Sequence, residues 1–438
     1  MSQNNVNIEY LIAGGAVVVP AEQGESLRVI EGGAVWVKGP EILAILEMDQ
    51  ARTKMESGAL YVVHRPDHWI VPGLINLHCH LDYSGITDID ESLSLFDWLE
   101  VLVARSRALS PDELSSSALA GAREALSFGT TCLVDSSFTG FAALALMKAG
   151  MRGLVGLELF GLDQSDAHAA WQAWCARMDA LQATIDGAVA AGEIDPAARE
   201  RVALTVAPHA PYTVSPALWR LADEWSRSRD LLYTAHVAET QDELDWLCGA
   251  GQRVHDYLHA ILPPFKHHVL SAIDWRSNDP RHTDGAVDHL ARHGLLSERL
   301  LAAHVVHIDE RQAVLLAQSG SRAALCPRSN ARLGSRGPDA RLLQSAGVRF
   351  GLGTDSRAST SDLSLLQEVM ALDPSRDKDK NILDLLPRVT IQAARALGLD
   401  HRIGSLEPGK AADIAIFDRL SATASACDVF VDGLSIHK

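Results

Sequence analysis

The sequence contains no dense run of lysine and arginine, and its 438 residues carry a formal net charge of −17. That balance argues against nucleic acid or an anionic membrane as the partner, because both attract basic patches. The six cysteines are scattered without a Cys-x-x-Cys pair, which favours a reducing compartment. The N-terminus lacks the basic segment of a signal peptide, and its apolar run at 10–20 is too short to span a bilayer. We therefore expect a cytoplasmic protein that acts on a small molecule.

Short apolar segments alternate with helical patterns through the middle of the chain. Its length exceeds the ~250–300 residues at which single cores stop growing, so one large barrel or two domains is expected. Eight strand–helix units predict an α/β fold with a (β/α)8 TIM barrel, whose active site lies at the C-terminal ends of the strands. The eight predicted strands are residues 69–78, 130–135, 153–159, 202–208, 231–237, 300–306, 323–326 and 348–354.

Both ends of the chain share a different texture, with β-patterned runs punctuated by glycine and proline. We expect residues 1–68 and 402–438 to form one small β-sandwich domain beside a hydrolase barrel at 69–401. Two unrelated terminal caps are the alternative. Residues 260–298 interrupt the strand–helix rhythm, and we expect an elaborated loop there that could serve as a lid.

The first predicted barrel strand ends in His78-Cys79-His80. Side chains alternate along a strand, so the two histidines point the same way, roughly 7 Å apart along it. Two imidazoles on one face can share a divalent cation. A pair of strand histidines with ordinary hydrogen bonds is the alternative.

Three later strand ends carry side chains that suit metal-assisted hydrolysis. His236 could hold a metal and Glu239, three residues on, could move protons. Asp355 could face the histidines across the barrel mouth, bind metal and accept a proton, although a helix N-cap is the alternative. His304 could polarise a reacting group or orient water.

The end of the fourth strand bears on the number of metal ions. His209 stands between two prolines there, which suits a rigid substrate contact. Lys148 is the only lysine between positions 55 and 265, and it lies in a helical stretch. A carbamylated lysine that bridges two metals is therefore lacking, and we expect one ion.

As a set, these motifs resemble the amidohydrolase superfamily, and more narrowly its mononuclear aminohydrolase and triazine-hydrolase (chlorohydrolase-like) branch. The resemblance implies one divalent ion, zinc or iron, bound by His78, His80, His236 and Asp355. It also implies Glu239 as the proton shuttle, His304 as an aid at the leaving group or water, His209 as a substrate contact, and a homodimer. The motifs are His78-x-His80, Pro208-His209-Ala210-Pro211-Tyr212, His236-x-x-Glu239, His304, Cys326-Pro327-Arg328-Ser329-Asn330 and Gly353-Thr354-Asp355-Ser356.

Within that branch, residues 78–84 (HCHLDYS) and Phe96-x-Trp98 look most like aminofutalosine deaminases of an alternative menaquinone route. Deaminases of S-adenosylhomocysteine and methylthioadenosine more often have a methionine where Asp82-Tyr83 stands here. The resemblance implies hydrolytic deamination of an aminated heterocycle, such as the adenine nucleoside 6-aminodeoxyfutalosine. Alternatives are removal of chloride or an alkylamine from a triazine-like ring, deamination of guanine, cytosine or S-adenosylhomocysteine, and a non-catalytic binding barrel.

In this chemistry Asp355 takes a proton from water, Glu239 protonates a ring nitrogen, and His304 steadies the tetrahedral intermediate. For the aromatic residues near the site, packing is the alternative to substrate contact. For Arg328, a structural salt bridge is the alternative to binding a ribose or a carboxylate. The expected substrate contacts are Tyr83, Trp98, His209, Trp275, Asp82 and Arg328.

Overall fold

The computed structural model describes residues 8–21, 26–262, 269–270, 273, 285–372 and 382–437. The strands are β1 (Glu9–Pro20), β2 (Leu27–Glu31), β3 (Ala34–Lys38), β4 (Glu41–Leu46), β5 (Tyr61–Pro72), β6 (Leu74–Cys79), β7 (Thr130–Ser137), β8 (Arg152–Leu159), β9 (Val202–Pro208), β10 (Tyr233–Val237), β11 (Leu300–His304), β12 (Arg322–Leu325), β13 (Arg349–Leu352), β14 (Ile414–Phe417), β15 (Ala426–Val431) and β16 (Leu434–His437).

The helices lie mainly between the barrel strands. They are α1 (Met48–Glu56), α2 (Leu95–Ala108), α3 (Pro111–Ser127), α4 (Phe141–Ala149), α5 (Ala167–Ala190), α6 (Pro196–Glu200), α7 (Pro216–Ser228), α8 (Gln241–Leu247), α9 (Gln252–Ile261), α10 (Ala286–Arg292), α11 (Glu310–Ser319), α12 (Pro327–Arg332), α13 (Ala340–Ala346), α14 (Leu365–Ala371) and α15 (Ile391–Leu397). Single 3-10 turns lie at Leu81–Tyr83, Ile382–Asp384 and Leu386–Val389. In the part of the chain that the structure describes, no helix is long and apolar enough to cross a bilayer.

Strands β6 to β13 form the barrel. They pair in parallel as two four-stranded runs, β6-β7-β8-β9 and β10-β11-β12-β13. Hydrogen bonds join the runs at the C-terminal ends of the strands, where the His236 amide donates to the His209 carbonyl (2.8 Å) and the Asp355 amide donates to the His78 carbonyl (3.0 Å). The predicted eight-stranded α/β barrel is confirmed.

The main core lies between the strands and the surrounding helices. On β8, Val155, Leu157 and Leu159 belong to this core together with Trp174 of α5. The Trp174 indole donates to the Leu157 carbonyl at 2.9 Å, so its polar end is satisfied although the ring is buried. Burying side chains of this kind contributes about 1.5–3 kcal/mol each, which fixes the strands and therefore the residues at their ends.

The ends of the chain meet in one sheet. Its strand order is β16-β15-β14-β5-β1-β3-β4, with β2 paired to β1, so N-terminal and C-terminal strands adjoin where β14 pairs with β5. A β domain built from both termini is confirmed. Strand β5 continues past residue 68 to Pro72, and Gly73 then leads into β6.

Arg152 connects the barrel to this terminal sheet. Its guanidinium donates to Asp413 (3.1 and 3.3 Å) and to Asp432 (2.7 Å), and the side chains of Arg152 and Asp413 are buried. Much of the expected loop at 260–298, with Trp275, lies outside the described residues.

Candidate metal centre and active site

Four residues that the sequence places far apart converge at the mouth of the barrel. His78 lies in β6, His80 follows that strand, His236 lies in β10 and Asp355 follows β13. The His78 ring centroid lies 4.9 Å from that of His80 and 5.0 Å from that of His236. Asp355 Oδ1 lies 3.5 Å from His78 Nε2 and 3.6 Å from His80 Nε2. The predicted ligand set is therefore assembled in one place.

Hydrogen bonds orient two of the imidazoles. His80 Nδ1 lies 2.7 Å from the Ser136 carbonyl, and His236 Nδ1 lies 2.8 Å from the His209 carbonyl. A carbonyl only accepts, so each Nδ1 carries the hydrogen and each Nε2 keeps its lone pair. Burial and the neighbouring His78 lower the pKa of His80 to about 4, which keeps this ring neutral near pH 7. Burial and the adjacent His209 likewise place the pKa of His236 well below its usual value.

The lone pairs of these two rings face each other across 3.0 Å, the distance between His80 Nε2 and His236 Nε2. Two neutral lone pairs at that separation repel unless a cation lies near them. Both ring nitrogens of His78 are buried and have no hydrogen-bond partner among the described residues. Three imidazole nitrogens and one carboxylate oxygen form a donor set that suits zinc or iron. The residues present therefore fit one divalent cation.

Asp355 is held as a carboxylate. Burial works to raise its pKa, but the adjacent imidazoles of His78, His304 and His80 bring it well below the usual range. Its second oxygen, Oδ2, accepts hydrogen bonds from the Ser329 hydroxyl and from the Ser359 hydroxyl (3.1 Å). These two serines leave Oδ1 directed toward the histidines.

His304 also lies close, and the ring nitrogens of His78, His236 and His304 fall within 4.8 Å of one another. The amide nitrogen of Asn330 faces His304 Nδ1 at 3.1 Å and donates to it. The hydrogen of His304 then sits on Nε2, which lies 3.6 Å from Glu239 Oε1. Burial lowers the pKa of His304 to about 3, so the ring is neutral near pH 7 and, with its hydrogen on Nε2, can donate a hydrogen bond there.

Glu239 provides a second carboxyl group, and its pKa is shifted in the direction opposite to that of Asp355. Burial, with added repulsion from Asp355 and Glu243, raises its pKa well above the usual value. Its backbone amide donates to Glu243 Oε2 at 2.8 Å, which fixes the start of the loop before α8. A buried acid that keeps its proton near pH 7 can act as a proton donor.

The backbone at these strand ends is strained. Four non-glycine residues have positive φ there: Ala238 (56°), His304 (72°), Val305 (50°) and Asp355 (57°). Such conformations cost of order 1–3 kcal/mol each and persist only where the surroundings hold them. Here the amides of Val305 and Val306 bond to the carbonyls of Val237 (3.0 Å) and Ala238 (2.9 Å), linking the ends of β10 and β11.

A cavity of about 470 Å3 opens above the centre. Tyr83, Trp98 and His209 line it, as expected of substrate contacts, although the Trp98 indole also bonds to the Ala358 carbonyl at 3.3 Å. His209 stacks on Phe160, with ring centroids 4.8 Å apart.

Two expected contacts lie elsewhere. Arg328 is not part of the described cavity wall, because its guanidinium binds Asp362 (2.9 Å) and Ser361 (2.7 Å). The salt-bridge alternative thus accounts for this residue, and the expectation of a substrate contact is withdrawn. Asp82 also lies outside the cavity wall, since its Oδ2 accepts from the Ser137 hydroxyl (2.8 Å) and the Thr139 amide (2.9 Å).

Sequence reasoning gave no role to several residues that shape the site. Ser329 and Asn330, which bond to Asp355 and His304, lie in α12, the short helix after the seventh barrel strand, and a polar pair in that position was a usable signal. Glu158 lines the cavity from within the apolar strand β8, and a lone acid in a buried strand was the signal there.

The amidohydrolase family model matches residues 69–435. A 5-methylthioadenosine/S-adenosylhomocysteine deaminase of Symbiobacterium thermophilum is 28% identical over 422 residues, covering 94% of this chain and 86% of that protein. A zinc-bound adenosine deaminase from Xanthomonas campestris has a TM-score of 0.75 at 26% identity, covering 98% of this chain and 92% of that one. The Helicobacter pylori aminofutalosine deaminase in complex with methylthio-coformycin has a TM-score of 0.75 at 18% identity over 97% and 99% of the chains, a likeness of fold alone. Because the family match spans well over half of its length, this chain belongs to the amidohydrolase family and is a hydrolase that acts on carbon–nitrogen bonds.

Proposed function

We propose that this chain deaminates an adenine nucleoside derivative with the help of one divalent ion, zinc in the first place. The product would be the 6-oxo nucleoside, with release of ammonia. The observation that carries the proposal is the convergence of His78, His80, His236 and Asp355 beside Glu239, whose pKa is raised, at the floor of a cavity of about 470 Å3. The names of the deaminase relatives support the choice of an amine on a purine.

The bound ion would supply positive charge that lowers the pKa of a water molecule toward about 7. Asp355 Oδ1 is free of the serines and would accept the proton of the attacking water. Glu239 would give its proton to a ring nitrogen of the base, which makes the amine-bearing carbon electrophilic. His304, with its hydrogen on Nε2, would stabilise the oxygen that gains charge, and Glu239 would then return a proton to the departing ammonia.

The cavity wall favours a nucleoside with a large apolar substituent. Helices α2 and α9 contribute Leu99, Leu102, Leu258 and Ile261 to it. Arg107 of α2 is the single lysine or arginine among the described residues of this wall. An aromatic carboxylate on the sugar would satisfy both features, which supports 6-aminodeoxyfutalosine as the proposed substrate within this class.

The test is ammonia release by protein that has been stripped of metal and reloaded with zinc or with iron. The substrates are 6-aminodeoxyfutalosine, 5′-methylthioadenosine, adenosine, guanine, cytosine and a chlorinated triazine. We expect ammonia from the adenine nucleosides, fastest from 6-aminodeoxyfutalosine, and no chloride from the triazine. A protein with full metal that released chloride, or no ammonia from any purine, would contradict the proposal.

His236→Ala supplies the metal control. Removing one imidazole of the donor set should reduce the metal content of purified protein to a small fraction of one ion per chain. His307→Ala is the matched control, because His307 bonds to the Ser335 hydroxyl (3.0 Å) and belongs to none of the candidate metal clusters among the described residues. Full metal content in His236→Ala would show that the ligand set is wrong.

A further inference from the structure

We infer that Glu158 binds the ribose hydroxyls of the nucleoside and so determines specificity for the sugar. This inference rests on the proposed function and deepens it. No sequence motif pointed to Glu158, and it is not among the proposed ligands or proton carriers.

Glu158 lies near the C-terminal end of β8, the third barrel strand. Leu157 and Leu159, its neighbours on β8, belong to the core between strands and helices. Side chains alternate along a strand, so Glu158 points inward, and it lines the same cavity as His209 and Glu239. One of its carboxylate oxygens falls within 4.8 Å of ring nitrogens of His209 and His236.

Its contact with His80 is on the side of the ring that faces away from the proposed ligand set. The contact of Glu158 with His80 is to Nδ1, at 3.9 Å, the nitrogen that donates to the Ser136 carbonyl. The lone pair that could bind metal is on the other side of that ring, at Nε2. Glu239 approaches His304 instead, so the two carboxyl groups border different parts of the cavity.

The carboxylate of Glu158 has no donor of its own. The residue is 3% exposed, and no side chain or amide among the described residues donates a hydrogen bond to its carboxylate. The nearby Arg177 guanidinium donates to the backbone carbonyls of Glu158 (3.1 Å) and Phe138 instead. Burial and the nearby Asp82 raise the pKa of Glu158 to about 8. Charged or neutral, a buried carboxyl group without a hydrogen-bond partner is costly, so a ligand that supplies partners is favoured.

The chemistry of the missing donor follows from the rest of the cavity. The reacting edge of the base must meet Glu239 and Asp355, which leaves the sugar as the part of a nucleoside able to reach a different wall. Adjacent ribose hydroxyls can each donate and accept, so they can pair with both oxygens of one carboxyl group whether or not it carries a proton.

The experiment compares kcat/KM for adenosine, 2′-deoxyadenosine and 3′-deoxyadenosine in the wild type and in Glu158→Gln, each loaded with zinc. Two hydrogen bonds to one carboxyl group together correspond to about 10- to 100-fold in such a ratio. We expect the wild type to favour adenosine over the deoxynucleosides by that factor. In Glu158→Gln the value for adenosine should fall about 10- to 100-fold, while the values for the two deoxynucleosides, which keep one hydroxyl each, should fall by a smaller factor.

Two variants complete the design. Glu158→Asp keeps a carboxyl group on a side chain that is one methylene shorter. It should lose part of the preference for adenosine over the deoxynucleosides, with folding and metal content unchanged. Glu200→Gln removes an exposed carboxylate at the end of α6 and should leave all three ratios unchanged. An equal loss with adenosine and both deoxynucleosides would overturn the inference, because it would place Glu158 on the base or in the fold.

A binding measurement separates this inference from the proposed function. Calorimetric titration of the three nucleosides into Glu239→Gln protein, with and without Glu158→Gln, measures sugar preference without turnover. Binding that favours ribose through Glu158 without ammonia release by the wild type would refute only the deaminase proposal. A ribose preference that survives Glu158→Gln would refute only the inference, and no nucleoside binding would refute both.

Discussion

Two carboxyl groups at this centre are driven in opposite directions by their surroundings. Burial works to raise the pKa of Asp355, but the three adjacent histidines bring it well below the usual range. Glu239 is buried near other acids, so its pKa rises. A base and an acid are thereby available together near neutral pH, as a reaction that takes a proton from water and gives one to a ring nitrogen requires.

Glu239→Gln removes the carboxyl group that would transfer the proton and keeps a side chain of nearly the same size and shape. We expect kcat to fall about 100- to 10,000-fold, the usual effect of losing a positioned proton-transfer group, with metal content unchanged. Steady-state ammonia release and metal analysis on one preparation test this. The matched control is Glu224→Gln, an exposed carboxylate on α7, which should keep wild-type turnover. Near-normal kcat in Glu239→Gln would assign the proton transfer to another group.

His304 should make the metal-free protein sensitive to acid. Its pKa is lowered from 6.5 to about 3, so below pH 6.5 the unfolded chain binds a proton here that the folded protein does not, and stability falls as pH falls. Acids with a raised pKa, such as Glu243, change the stability with pH in the opposite direction. The wild type is therefore compared with a variant that differs only at His304. Between pH 7.5 and pH 5, the free energy of unfolding, measured by urea titration, should fall by ~2 kcal/mol more in the metal-free wild type than in metal-free His304→Gln. Equal losses would show that His304 is protonated in the fold.

Residue types at strand ends were predictable, whereas contacts between distant side chains were not. His78, His80, His236 and Asp355 could be placed because barrel strands present their C-terminal ends to one mouth. The partners of Arg328 could not be foreseen, because Ser361 and Asp362 lie over 30 positions later in the chain. Only the fold of the loop after β13 brings them next to Arg328. Glu158 has no motif around it, and only the orientation of β8 brings its carboxylate into the cavity.

At the level of elements, β6 and β13 must approach each other closely for His78 and Asp355 to meet. Gly353 makes this approach possible, because a Cβ there would lie 2.7 Å from the backbone nitrogen and the Cβ of His78. Beside it, the Asn76 amide donates to the Thr354 hydroxyl at 2.7 Å. The absence of one side chain thus sets the distance between two ligands.

Gly353→Ala should separate the two strands. We expect a loss of about 1–3 kcal/mol in the free energy of unfolding, as for overpacked cores, together with weaker metal binding. Urea unfolding and competition with a zinc chelator measure the two effects. Gly337→Ala is the control, since nothing lies within 4 Å of the added atom. Unchanged zinc affinity in Gly353→Ala would mean that the strands can move without disturbing the ligands.

The number, order and type of the barrel strands followed from alternation of apolar runs, because local patterns determine them. Pairing of β14 with β5 is a contact between opposite ends of the chain, and no local pattern specifies it. The N-terminal and C-terminal runs could be assigned to one domain only by their shared texture. Their strand order required the structure.

At the scale of the whole molecule, the buried ions around Arg152 hold the terminal sheet to the barrel. Arg152→Met leaves Asp413 buried without its partner, and breaking such a pair typically costs about 3–5 kcal/mol. We expect a loss of that size in urea unfolding. Arg28→Met breaks an ion pair with Glu47 in which both side chains are about half exposed, and it should cost less than about 1 kcal/mol. Similar losses of unfolding free energy in the two variants would show that the buried ion cluster stabilises the protein no more than an exposed ion pair does.

The contact between Asn76 and Thr354 spans 278 positions of the chain. During synthesis on the ribosome, the first two histidines emerge long before the aspartate that completes their set. A nascent chain shorter than about 355 residues holds the three imidazoles of the proposed set but lacks its carboxylate, and the sheet that receives β14 to β16 is still incomplete when Asp355 appears. If the four residues bind one ion as proposed, tight loading therefore belongs to the finished polypeptide.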